Sequence, residues 1–64
     1  MLFLKVPRKD AEKTRQLLIG GGILAKEYPV INQGDLVLFA VIRPYGGFEA
    51  VELDVEKREQ LPKK

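Results

Sequence analysis

The chain has 64 residues, 45% of them apolar, and 11 Lys+Arg against 9 Asp+Glu give it a formal net charge of +2. That length allows one domain with a thin core, and the apolar content is too high for a disordered chain. Cys, His, Trp and Ser are all missing; disulfides, thiol and imidazole chemistry and the commonest nucleophiles go with them, so the composition speaks for a binding module or a piece of something larger, not a self-contained enzyme.

Leu2-Phe3-Leu4-Lys5-Val6 predicts a first strand, with Leu2, Leu4 and Val6 on one face and Phe3 and Lys5 on the other. Pro7 ends it, because proline cannot donate to a ladder. Residues 8–19 predict a helix. At about 100° per residue, Ala11, Thr14, Leu17 and Leu18 gather on one side, Lys9, Glu12, Lys13 and Gln16 on the other, and Arg8, Arg15 and Ile19 on a border. Pro7 suits the start of the helix and Asp10 lies near the positive end of its dipole. Gly20-Gly21-Gly22 stops it, since glycine tolerates the left-handed cap conformation.

Tyr28-Pro29-Val30-Ile31 predicts a short second strand weakened by Pro29, and Asn32-Gln33-Gly34-Asp35 a turn. Residues 36–42 form the strongest strand signal, apolar on both faces and therefore central. Arg43-Pro44-Tyr45-Gly46-Gly47 predicts a second turn and residues 48–54 a last strand. From Val55 the chain is charged and ends in Leu61-Pro62-Lys63-Lys64, which has the look of a linker cut short or a frayed end. Lys5 interrupts the apolar Met1-Leu2-Phe3-Leu4 well short of the about 7–15 residues of a signal sequence, and the seven apolar residues 36–42 have a buried strand's length, not the roughly 20 residues of a membrane span. A cytoplasmic setting with no membrane partner is the expectation.

The fold class expected is α+β in the order β-α-β-β-β: a small, mainly antiparallel sheet with one helix packed on one face and the last three strands in a meander. The expected core is Leu2, Leu4, Val6, Ala11, Leu18, Ile23, Leu24, Val37, Phe39, Val41 and Leu53. Residues 1–55 would form a single domain and 56–64 a charged linker or frayed terminus.

Few features carry chemistry. The glycine run follows a helix, whereas phosphate cradles lead into one, so it is a cap and a connection. Glu49, Glu52, Asp54, Glu56 and Glu59 have no histidine beside them and suit a solvated edge, where acidic side chains discourage strand-to-strand aggregation. No catalytic, cofactor or metal residue is assigned.

Cations are the remaining signal. Residues 1–32 hold six basic and three acidic groups, net +3, while residues 33–64 hold five and six, net −1. Such asymmetry suits a polyanion on one side, or simply a mixed solvated surface. Lys9 and Lys13 are spaced i, i+4 with Arg8 and Arg15 flanking, as phosphate contacts require. Arg43 and Tyr45 put a cation and an aromatic on one turn. Tyr45 either stacks on a base or caps the edge of the core. Abundant Lys and Glu with few Asn, Gln and Met resembles thermophile usage.

Residues 4–19, from Leu4-Lys5-Val6-Pro7-Arg8-Lys9 through Thr14-Arg15-Gln16-Leu17-Leu18-Ile19, resemble the opening of archaeal tRNA (guanine-N(1))-methyltransferases, which modify the guanine 3′ of the anticodon. The pattern is a short strand carrying a Lys, a basic pair, then a helix with a Thr-Arg step before an apolar run. Gly22-Ile23-Leu24-Ala25-Lys26-Glu27-Tyr28 is similar to the next segment of that family, and Gly34-Asp35-Leu36-Val37-Leu38-Phe39-Ala40-Val41 to the strand after it. The resemblance covers roughly residues 4–42; beyond Arg43 the chain matches less clearly, which leaves Tyr45 without family support.

The resemblance implies a small N-terminal domain that docks on the outer corner of folded tRNA, where D- and T-loops meet. A linker would join it in cis to a catalytic domain that binds S-adenosylmethionine, absent from this chain. No cofactor is then expected here, and the partner is tRNA. The candidate contacts are Lys5, Arg8, Lys9, Lys13, Arg15, Arg43 and Tyr45. The same domain on a related tRNA-hypermodifying transferase is a variant of this expectation. A protein–protein module pairing through an edge strand is the alternative from another class.

Overall fold

A computed structural model describes residues 1–57 of the chain. The first apolar run becomes β1 (Leu2–Pro7), followed without a gap by a 3-10 turn (Arg8–Asp10) and helix α1 (Ala11–Gly20); β2 (Ile31–Gln33), β3 (Leu36–Ala40) and β4 (Glu49–Glu52) complete the order. All pairings are antiparallel and the sheet order is β2-β3-β1-β4. The class is therefore α+β, as the sequence implies. None of the described helices is long and apolar enough to cross a membrane.

The strand order corrects the expected meander. β4 pairs with β1, not with β3. β1 sits between them: Phe3, Leu4 and Val6 are completely buried, and the backbone groups of so enclosed a strand are satisfied by ladders on both edges. β3 and β4 each run antiparallel to β1, so they run parallel to one another. Residues 41–48 are accordingly a crossover past β1, not the turn of a hairpin. Tyr45 and Phe48 of this crossover pack on the helix side of the sheet.

The second strand also differs from expectation. Residues 28–30 are not a strand; Ile31, Asn32 and Gln33 are, and the turn contracts to Gly34 and Asp35. Gly34 has φ +60 and Asp35 is not left-handed, which suits a type II′ hairpin turn with glycine first. The last part of β3 instead meets residues 23–25. Leu24 bridges Val41, and Ala25 N–H donates to the Ala40 carbonyl at 2.8 Å.

Alternation along the strands makes two apolar layers. On the helix side Leu4, Val6, Val37, Phe39 and Val41 meet Leu18 and Ile23, with Leu2, Ala11 and Leu24 partly buried against them. The opposite layer holds Phe3, Ala25, Leu38 and Ala40, with Tyr28, Leu53 and Val55 packed around them. Leu53 thus belongs to the face away from the helix, not to the core where it was expected. Leu17 is 51% exposed: Thr14 and Leu18 centre the buried stripe of α1, and Leu17 lies about a quarter-turn from it.

The glycine run caps α1 as expected. Gly22 takes φ +69. Ile23 N–H donates to Leu18 O at 2.9 Å and Gly22 N–H to Ile19 O at 3.1 Å. These are the two bonds of a Schellman cap, and the buried Leu18 and Ile23 supply its usual apolar contact. Residues 53–57 carry no regular structure. The expected linker over 56–64, with its Leu61-Pro62-Lys63-Lys64 end, lies mostly outside the described residues.

Candidate nucleic-acid interface

The seven expected contact residues do not form one patch. Lys5 points to the face away from α1, as Phe3 and Leu38 do, and stands opposite Glu49 in the ladder. Its Nζ is 3.8 Å from Glu49 Oε2. Paired with this neighbour, it is separated from the cations of α1 by the sheet.

Arg8 has a structural task. Its Nε and Nη2 donate to Gly34 O at 3.0 and 2.7 Å, and its Nη1 donates to Asn32 Oδ1 at 3.2 Å. Its backbone N–H also donates to Asp35 O at 2.7 Å. A planar guanidinium can hold two acceptors at once in a fixed geometry. Arg8 therefore ties the end of β1 to the β2–β3 turn while its side chain stays exposed. The shallow groove next to it is lined by Pro7, Arg8, Lys9 and Asp35.

Lys9 and Lys13 lie on the outer surface, exposed and about one helical turn apart. Neither makes an ion pair among the described residues. Glu12 is near them in sequence, but its carboxylate accepts a hydrogen bond from Gln16 at 3.3 Å. Arg15 is exposed on a different side of α1, because two residues turn the helix by about 200°. Arg43 is exposed on the crossover, and Tyr45 is partly buried against the helix-side layer. Tyr45 thus caps the edge of the core with part of its ring, and the remainder faces solvent.

The structure brings Arg15 to a place that sequence alone does not show. A cleft of about 240 Å³ is lined by Arg15, Leu24, Ala25, Lys26, Tyr28, Val30 and Ala40. It lies where the chain leaves β3's edge after residue 25 and returns to it at Ile31. Tyr28 N–H donates to Ala25 O at 3.2 Å, which closes a turn over residues 25–28. That turn is fixed to β3 through Ala25, which is buried. Lys26 and Tyr28 are thereby held near a helix residue more than ten positions earlier in the chain. Both are visible in the sequence as a basic residue and a tyrosine two apart. Nothing in their spacing connects them to Arg15.

The β4 edge is acidic. Glu49 and Glu52 are exposed on β4, an edge strand, and Asp54 follows them. Lys9, Lys13, Arg15 and Lys26 lie on the helix and on the loop that follows it. A polyanion would meet those cations and be repelled at the β4 edge.

The fold has counterparts among known proteins. Residues 4–49 match the tRNA methyltransferase 5 N-terminal domain. The tRNA (guanine(37)-N(1))-methyltransferase Trm5b of Pyrococcus abyssi is 38% identical over 61 residues, which are 95% of this chain and 18% of that protein. The crystal structure of wild-type Trm5b from Pyrococcus abyssi superposes with a TM-score of 0.79 over 89% of this chain and 17% of that one. That of the M. jannaschii tRNA m1G37 methyltransferase gives 0.79 at 26% identity, over 89% of this chain and 21% of that one. The chain thus spans about a fifth of the length of these relatives.

Proposed function

The chain belongs to the tRNA methyltransferase 5 N-terminal domain family, and from that premise we propose that it is an RNA-binding module that recognises the outer corner of folded tRNA, where D- and T-loops meet. The observation that carries the proposal is the set of exposed cations on the 3-10 turn, α1 and the loop after it, Lys9 and Lys13 on one side of the helix and Arg15 with Lys26 at the cleft, none of them on the acidic β4 edge. Arg43 and the free part of Tyr45 add to that set from the crossover. Lys5, paired with Glu49, and Arg8, engaged at the hairpin turn, are secondary contacts in this scheme.

Phosphate contacts position a protein on RNA without reading sequence. A domain built from them recognises shape. The catalytic domain of the parent protein would stand in cis and supply the chemistry, in a cytoplasmic setting. S-Adenosylmethionine is the cofactor expected of that parent enzyme. Besides a carboxylate and an adenine it carries a sulfonium and an ammonium, two cationic centres that need acidic or polar acceptors, whereas the charged groups of the cleft are Arg15 and Lys26 and no carboxylate lines it; the residues here do not fit those two centres.

Sedimentation of the free chain with and without folded tRNA tests the proposal. Co-sedimentation that disappears when the tRNA is unfolded supports it. A stable self-association with no tRNA binding would instead favour a protein-interaction module using the β4 edge.

A further inference from the structure

We infer that the cleft between Arg15 and the turn at residues 25–28 is a subsite for one unpaired nucleotide, with the phosphate on Arg15 and Lys26 and the base against Tyr28 and Val30. The inference rests on the RNA-binding role proposed above and gives it a specific place.

The lining has two halves of different chemistry. Its charged groups are both cations, Arg15 from α1 and Lys26 from the turn. Glu27 lies between Lys26 and Tyr28 in sequence but does not line the cleft. The remaining walls are Leu24, Ala25, Tyr28, Val30 and Ala40, all apolar or aromatic. Val30 is 44% exposed, and apolar surface beside a half-buried tyrosine suits a flat, weakly polar ring. A ligand with an anionic end and a planar end satisfies both halves. Inorganic phosphate would use only the first.

Size sets the stoichiometry. The cleft holds about 240 Å³, below the roughly 300–1,000 Å³ of sites that enclose a whole drug-sized ligand. It admits one base. A base inside a duplex is stacked on both faces and cannot enter, so the nucleotide must be splayed out of a loop or bulge. The site is also preorganised. Ala25 is anchored by its hydrogen bond to Ala40, Tyr28 by its hydrogen bond to Ala25, and Pro29 fixes its own φ directly after Tyr28.

The test uses the full chain, folded tRNA, and Tyr28→Leu, Tyr28→Phe and Lys26→Gln, with each fold checked by circular dichroism. Tyr28→Leu is expected to weaken tRNA binding roughly tenfold without changing its salt dependence, because stacking and not charge is lost. Tyr28→Phe keeps the ring and restores binding. Lys26→Gln lowers the slope of log K against log[salt] by roughly 0.7–0.9. Tyr28→Leu binding as tightly as the unaltered chain overturns the subsite and leaves the tRNA role standing.

A second arm separates the two claims. In an NMR titration with adenosine 5′-monophosphate, amides of residues 15, 24–28 and 40 should shift, and inorganic phosphate should shift them less. Equal shifts with phosphate, or shifts elsewhere only, overturn the base-stacking assignment. Failure of the unaltered chain to bind tRNA, with these nucleotide shifts present, removes the tRNA role and retains the subsite.

Discussion

Three consecutive glycines close α1, and the structure assigns each a different cost when it becomes alanine. Gly20 is the last residue of the helix, and a Cβ placed there meets nothing within 4 Å. Gly20→Ala therefore gains the ordinary helix preference of alanine, about 0.8–1 kcal/mol. Gly21 has φ −87, and its Cβ would lie 3.4 Å from Leu17 O and 3.5 Å from Ile23 Cδ1. That is ordinary contact, so Gly21→Ala should lie within about 0.5 kcal/mol of neutral. Gly22 has equally open space but φ +69. Its penalty is purely conformational, a net loss of about 1 kcal/mol. The outer two variants should then differ by about 2 kcal/mol, or roughly 8–16 °C in Tm for a domain of this size. Thermal and urea unfolding followed by circular dichroism reads the series. Loss of stability in Gly20→Ala equal to that in Gly22→Ala would refute the assigned helix end. Unchanged stability in all three, with anion binding lost, would return the run to a phosphate-cradle role.

Other consequences are as direct. Leu18 is fully buried between helix and sheet, so Leu18→Ala should cost about 3–5 kcal/mol, enough to unfold so small a domain at 37 °C by circular dichroism. Arg8→Lys keeps the charge but not the forked geometry that holds Asn32 and Gly34; it should lose about 0.5–1 kcal/mol in urea unfolding, given the exposure of the site. Its tRNA salt slope should stay as it was. Lys13→Gln should do the reverse: unfolding stays within about 0.5 kcal/mol of the unaltered chain, while the salt slope of tRNA binding falls by roughly 0.7–0.9.

What the sequence conveys here is local. Residues 36–42 are apolar on both faces, so β3 is legible as an interior strand. The glycine run after an amphipathic segment is legible as a helix cap. Acidic residues on β4 fit its edge position. Strand order is not local. β1, β3 and the last strand are all apolar enough to be neighbours, and only the ladders on both edges of β1 show that it separates the other two. Pro29 already weakens residues 28–31 as a strand, yet the fact that residues 23–25 take the place beside Ala40 and Val41 depends on where the helix cap releases the chain. The candidate site divides the same way. Lys9 and Lys13 follow from helical spacing. The engagement of Arg8 with Gly34 and Asn32, the pairing of Lys5 with Glu49, and the meeting of Arg15 with Lys26 and Tyr28 are all products of the tertiary fold.

The most direct test of the functional account is a titration of this chain with folded tRNA, and with the same tRNA unfolded, across a range of salt. The account predicts weak binding to the folded form, since the chain spans only about a fifth of its relatives' length and offers few phosphate contacts. It predicts a slope of log K against log[salt] of roughly −2 to −3.5 for three or four neutralised phosphates, and far weaker binding to the unfolded form. A flat salt response, or equal affinity for folded and unfolded tRNA, would contradict it.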